Sequence, residues 1–158
     1  MTSTIKKYFP EIIGSLLCLT LGMLSGYSVK IADPQWYTHL SKPVFNPPAW
    51  IFGPVWTILY LMMGAALGTL WRNKLKNEHL ILVFKVQLIF NLLWSPIFFY
   101  YQRIGWAFLD IVALWISLVV FMVLARKQRP VFLLFSPYFA WVSFALILNF
   151  MLYVMNGM

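Results

Sequence analysis

Apolar residues run almost unbroken through long stretches of the chain, and charged residues fall in the gaps between them. The stretches extend from about Ile12 to Val29, Ala49 to Trp71, Leu80 to Tyr101, Trp106 to Ala125 and Val131 to Val154. Each is close to the ~20 residues that a helix needs to cross the hydrocarbon core of a bilayer. They are apolar on every face, whereas a membrane β-strand would alternate apolar and polar positions. The pattern predicts an all-α integral membrane bundle of five transmembrane helices, forming a single domain over residues 1–158. The first stretch is longer than the core of a usual signal peptide and is read as a retained span. Gly14, Cys18, Gly22 and Gly26 recur every fourth residue along it. They give that helix a smooth face for close packing inside the bundle, with a dimer seam as the alternative.

Three of the four predicted connections are short, and the fourth, Ile31 to Pro48, is long and rich in proline, polar and aromatic residues. Long loops in compact folds tend to be functional, so this one is a candidate lid. Lys and Arg divide unequally between the two ends. Lys6, Lys7, Arg72, Lys74, Lys76, Arg126, Lys127 and Arg129 share one end, and Lys30, Lys42 and Arg103 the other. The positive-inside rule then predicts a cytoplasmic amino terminus in a bacterial cell membrane, with the long loop outside. Lys85, about one and a half turns into the third span, is expected to snorkel back to the interface.

Composition agrees with this picture. Of the 158 residues, 62% are hydrophobic and 10% are charged, and the mean hydropathy is +0.80. This is far from the balance of a soluble domain, and the length leaves no room for one beside five spans. The net charge of +8 is spread singly and in short clusters between the apolar runs, so it reads as topology and not as a nucleic-acid patch. The single cysteine, Cys18, excludes an internal disulfide and a cysteine-based metal site, and its expected role is that of a small apolar filler.

Candidate chemistry is sparse. The only histidines, His39 and His79, fall in loops predicted at opposite ends and cannot form a metal pair, so no metal site is expected. Asp110 is the one acid within a predicted span. Lying about one turn from the helix start, it is expected to be solvated or to help satisfy free amides there. Asn91 and Asn149 lie deeper, where an amide needs partners from other helices or from a ligand. Phe52, Trp56 and Tyr60 share a face of the second span, Asn91 and Trp94 of the third, and Trp141, Ala145 and Asn149 of the fifth. Turned inward, these faces would line a pocket for a large, flat, mostly apolar ligand. Trp36, Trp50, Trp71 and Trp106 sit near span ends and fit an interfacial belt. Pro96 and Pro137 each remove a helix hydrogen bond, free the carbonyls of Leu92 and Leu133, and bend their helices.

Three segments, taken in order, resemble the translocator protein family, which includes the bacterial tryptophan-rich sensory proteins and the mitochondrial peripheral-type benzodiazepine receptor. They are W-Y-T-H-L-S-K-P-V-F-N-P-P-A-W-I-F-G-P-V-W-T-I-L-Y from Trp36 to Tyr60, N-L-L-W-S-P-I-F-F from Asn91 to Phe99, and S-P-Y-F-A-W-V-S-F-A from Ser136 to Ala145. The resemblance implies a five-helix bundle, usually dimeric, that binds porphyrins such as protoporphyrin IX and haem as ligands, needs no further cofactor, and takes sterols in its animal members. Carried over position by position, it implies a ligand site at Tyr37, Pro47, Trp56, Tyr60, Asn91, Trp94, Trp141 and Ala145. Where some relatives have Phe this chain has Tyr60 and Trp94. The family's sterol segment is incomplete here, because Leu148 and Tyr153 are present but no Lys or Arg follows in Val154 to Met158.

These features support a porphyrin-binding membrane receptor or carrier, with Trp56 and Trp141 flanking the ligand and the Trp36 to Pro48 loop as its lid. A light- and oxygen-dependent porphyrin-degrading enzyme is the second reading, with Trp56 and Trp141 as the oxidisable groups, although the chain shows no ordinary acid, base and nucleophile set. A ligand-gated scaffold in stress signalling, acting through a partner protein, is the third.

Overall fold

The computed structural model describes residues 2–157. Its helices are α1 (Thr2–Ile31), a short α2 (Pro34–His39), α3 (Ala49–Trp71), α4 (Glu78–Ser95), α5 (Ile104–Ala125) and α6 (Arg129–Asn156), and a π-helical turn (Pro96–Tyr100) continues α4. Five of these elements are long and apolar enough to cross a membrane: Lys6–Ile31, Ala49–Trp71, Glu78–Tyr100, Ile104–Ala125 and Arg129–Asn156. The chain is an integral membrane protein. The first helix starts at Thr2, well before the predicted Ile12. Its polar opening is held from outside, because Arg72 at the end of α3 donates to the Lys7 carbonyl and pairs with the Glu11 carboxylate at 2.7 Å.

The helices form a closed ring in which α1 packs on α3, α3 on α6, α6 on α5, α5 on α4, and α4 back on α1. Local signals place the ends. Asp33 caps α2 by accepting the Gln35 amide at 2.9 Å, and Pro34 occupies its first turn, where the missing N–H costs nothing. Gly157, at φ +63°, closes α6 in the left-handed conformation that favours glycine.

The end of the bundle away from the long loop is tightly packed. Phe84, Phe121 and Phe135 meet at its centre, the last two stacked with centroids 4.0 Å apart. Asn77 donates to the Leu70 carbonyl and accepts from Gln128, which ties together three helix ends. The small-residue face of α1 is used inside the bundle, but in two ways. Gly14 lies directly against the backbone of Gly64, and Gly68 against Pro10 and Glu11, so α1 and α3 touch main chain to main chain. Cys18 is fully buried beside them. Higher up, Gly22 lies under the Tyr60 ring, and at Gly26 an added methyl group would meet nothing within 4 Å. The two helices therefore contact closely at one end and diverge toward the loop.

This divergence predicts opposite responses to the same change. Gly64→Ala should lower the thermal unfolding midpoint in detergent, through an overpacking cost of about 1–3 kcal/mol. Gly26→Ala should leave that midpoint close to wild type, and equal losses in the two variants would contradict the described packing.

Candidate ligand cavity within the bundle

The space opened toward the loop is a cavity of about 460 Å³ among all five long helices. That lies within the ~300–1,000 Å³ typical of small-molecule and cofactor sites. Its walls are mostly apolar, and the aromatic ones come from α3 (Phe52, Trp56), α4 and its π turn (Trp94, Phe98) and α6 (Trp141). Phe52 meets Trp141 edge-on at 5.9 Å, while Trp56 lies 5.5 Å from Tyr60 and 6.3 Å from Tyr138. Trp94 stacks on Phe98 at 5.1 Å with planes 14° apart.

The floor is a chain of buried hydrogen bonds. The Tyr60 hydroxyl donates to Asn91 Oδ1 at 2.5 Å, Asn91 Nδ2 donates to the Tyr138 hydroxyl at 2.8 Å, and that hydroxyl donates to Gln87 Oε1 at 2.9 Å. One residue from α3, two from α4 and one from α6 are locked at one spacing, and all four are buried. Lipid offers such groups no partner, and all but Gln87 Nε2 find one among the described residues.

Pro96 shapes the far wall. The Leu92 carbonyl that it frees accepts a hydrogen bond from Ser25 Oγ of α1 at 2.7 Å, so the lost bond becomes a tie between helices. The π turn that follows closes with Tyr101 N donating to the Pro96 carbonyl at 3.0 Å, and it turns Phe98 into the interior. The short helix α2 rests on this turn, with Trp36 5.4 Å from Phe98 and Tyr37 5.5 Å from Phe99. The Lys42 ammonium lies 4.5 Å over the Tyr37 ring. Burial pushes the Tyr37 hydroxyl above its ordinary pKa, partly offset by Asn46 beside it. Asn156 fastens the middle of the loop to the end of α6, accepting from the Ser41 amide at 2.8 Å and donating to the Ser41 carbonyl at 2.9 Å.

Of the residues that the sequence nominated, Tyr37, Trp56, Tyr60, Asn91, Trp94, Trp141 and Ala145 all stand on the cavity wall. Pro47 does not. It remains in the loop ahead of α3, where its carbonyl accepts from Asn46 Nδ2 at 3.1 Å. Asp110 differs from expectation, because α5 begins at Ile104 and the aspartate is carried past the exposed first turn. It is buried, and its Oδ2 lacks a hydrogen-bond partner among the described residues. His39 bonds the Gln35 carbonyl within α2, and His79 lies beside Glu78 at the start of α4, at the other end of the bundle.

The profile of the TspO/MBR family matches residues 14–155. The chain belongs to this family. It is 43% identical over 155 residues to the tryptophan-rich protein TspO of Chlorobaculum tepidum, covering 92% of this chain and 98% of that one. It is 35% identical over 149 residues to the TspO protein of Archaeoglobus fulgidus, covering 93% and 97%, and 32% identical over 140 residues to the translocator protein of Ovis aries, covering 85% and 83%.

In this TspO/MBR member the structure adds residues that sequence reasoning passed over. Gln87 lies one turn before Asn91 on the same face of α4, and Tyr138 lies inside the S-P-Y-F segment. Two amides four residues apart in an apolar span were a readable signal for a buried network. The contributions of α1 (Gly22, Ser25, Gly26) and α5 (Ile111, Leu114) to the wall had no such signal.

The floor makes a prediction. Asn91→Leu should destabilise the protein by about 1–3 kcal/mol, because it leaves the Tyr60 hydroxyl buried and unpaired. Adding Tyr60→Phe should restore part of that loss, since the orphaned group is then gone. Thermal unfolding in detergent reads both variants, and strictly additive losses would contradict the coupling.

Proposed function

We propose that the cavity binds porphyrins such as protoporphyrin IX or haem, and that the protein is a membrane receptor or carrier for them in tetrapyrrole regulation or transport. The observation that carries this reading is that Trp56 on α3 and Trp141 on α6 line one mostly apolar cavity, with Phe52 in edge contact with Trp141. Flat π-faces of this kind suit a broad planar ring, which gains apolar burial and ring contacts together. The buried floor sets how deep such a ligand can sit, and the α2 lid, resting on Phe98 and Phe99, covers it from the loop end. Family membership supports the same reading.

The setting we propose is a bacterial cell membrane with the amino terminus cytoplasmic. Arg72 and the Lys7 carbonyl meet at the end of the bundle that also holds Asn77 and Gln128, so the lysine- and arginine-rich segments share one end. The positive-inside rule assigns that end to the cytoplasm. A homodimer is part of the same proposal.

Protoporphyrin IX added to the purified protein should quench tryptophan fluorescence with saturation. Replacing both Trp56 and Trp141 by Phe should weaken binding by about tenfold, the equivalent of losing two aromatic contacts. Unchanged saturable quenching in the double variant would place the ligand elsewhere.

A further inference from the structure

Most of the cavity wall is apolar, yet it carries polar atoms that nothing among the described residues satisfies. Trp94 Nε1 is buried and has no acceptor, and Asn149 Oδ1 is buried and has no donor. Both residues line the cavity, and Asn149 is only 2% exposed. On α5, Asp110 Oδ2 is also buried without a partner among the described residues. The register between α5 and α6 follows from Phe108 against Phe150 at 5.6 Å and from Trp115 Nε1 donating to Ser143 Oγ at 2.9 Å. In that register Asp110 is level with Asn149, and its neighbour Ile111 is on the cavity wall.

An apolar ligand edge pressed against these atoms would leave each of them desolvated, at a cost comparable to a broken hydrogen bond. The pattern is directional. The α6 side offers the Asn149 Oδ1 acceptor and asks for a donor, while the α4 side offers the Trp94 indole N–H and asks for an acceptor. A group that combines a carbonyl with an O–H or N–H, as a neutral carboxylic acid or a lactam does, supplies both. An ester supplies only the carbonyl.

We infer that the inner part of the cavity is a polar subsite in which Asn149 Oδ1 accepts a hydrogen bond from the ligand and Trp94 Nε1 donates one to it, so that the favoured ligands are flat apolar molecules bearing a neutral carboxyl or lactam group. This rests on the cavity being the ligand site. It also gives the ligand an orientation, since a porphyrin then carries a carboxyl group inward toward α6. The opposite arrangement would direct both carboxylates outward to Lys30, an exposed cation at the cavity rim.

Protoporphyrin IX and its dimethyl ester separate these arrangements, because esterification removes the O–H donors and the negative charge but keeps the carbonyls. In nanodiscs the wild-type protein should bind the acid about five- to tenfold more tightly than the ester, the worth of one hydrogen bond in a buried site. Asn149→Leu should bring the two affinities within about twofold of each other by weakening the acid alone, and Asn149→Ala gives the same comparison if the leucine variant does not accumulate. Asn149→Asp keeps an acceptor and should keep the preference. Trp94→Phe should weaken acid and ester alike, and Lys30→Ala should leave the preference intact.

A preference that survives in the Asn149→Leu variant, or one that disappears in Lys30→Ala, overturns the inference. So does equal binding of acid and ester by the wild type, which would mean that water satisfies these atoms. If neither porphyrin binds at all, the porphyrin reading fails on its own. The same comparison with pyrenebutyric acid and its methyl ester then reads the subsite directly, and an acid preference lost on Asn149→Leu supports it while no preference overturns it.

Discussion

In the interior of a bilayer a buried amide has no water to turn to, and Asn91 meets that constraint by bonding at once to tyrosines from two other helices. The rest of the cavity depends on this junction. With Tyr60 and Tyr138 drawn to the same side chain, α3, α4 and α6 are held at one separation, and Gln87 extends the chain a turn deeper along α4. Below the junction the bundle fills with stacked phenylalanines, and above it the same helices cannot close. Each polar bond here is of modest net strength in a membrane, about 0.6 kcal/mol on average. Breaking one leaves an unpaired group in a place that cannot solvate it, and that cost gives the junction its hold.

The contrast between a closed end and an open end is written in small residues and prolines. Glycine serves two purposes on α1. At Gly14 the absent side chain lets the backbone of α3 approach, and at Gly26 it leaves the cavity wall bare. Proline likewise does more than bend α4. The carbonyl freed by Pro96 becomes an acceptor for Ser25 of a neighbouring helix, and the π turn after it reorients Phe98 and Phe99 so that one fills the interior and both meet α2. Local departures from regular helix are tolerated in a membrane only where another element satisfies the freed groups, as Ser25 does for the Leu92 carbonyl.

The cavity combines broad aromatic walls with very few polar atoms, and those few differ in state. Asn91 is fully engaged in the floor, whereas Trp94 Nε1 and Asn149 Oδ1 have no partner among the described residues. The engaged groups define the shape of the cavity, and under the proposal above the unengaged ones select the chemistry of its ligand. Apolar walls alone discriminate shape weakly, whereas an unpaired buried donor or acceptor discriminates chemistry strongly.

What the sequence determined by itself was everything that depends on the solvent and on period. Unbroken apolar runs specify membrane helices because lipid rewards apolar surface on all sides, and the spacing of Phe52, Trp56 and Tyr60 specifies a shared face because a helix repeats every 3.6 residues. The aromatic half of the wall was therefore legible, and so was the freed carbonyl at Leu92. The sequence could not say which helix would sit beside which, because apolar faces in lipid are nearly equivalent and association is settled by close packing and a few hydrogen bonds. Only the tertiary structure placed α1 and α5 on the wall, set Pro47 apart from it, and carried Asp110 inward when its position near a helix start suggested water. Those outcomes depend on rotation and register between helices, fixed here by Gly14 against Gly64, Ser25 against Leu92 and Asn91 between two tyrosines. Such contacts join residues dozens of positions apart, and no local pattern in the chain encodes them.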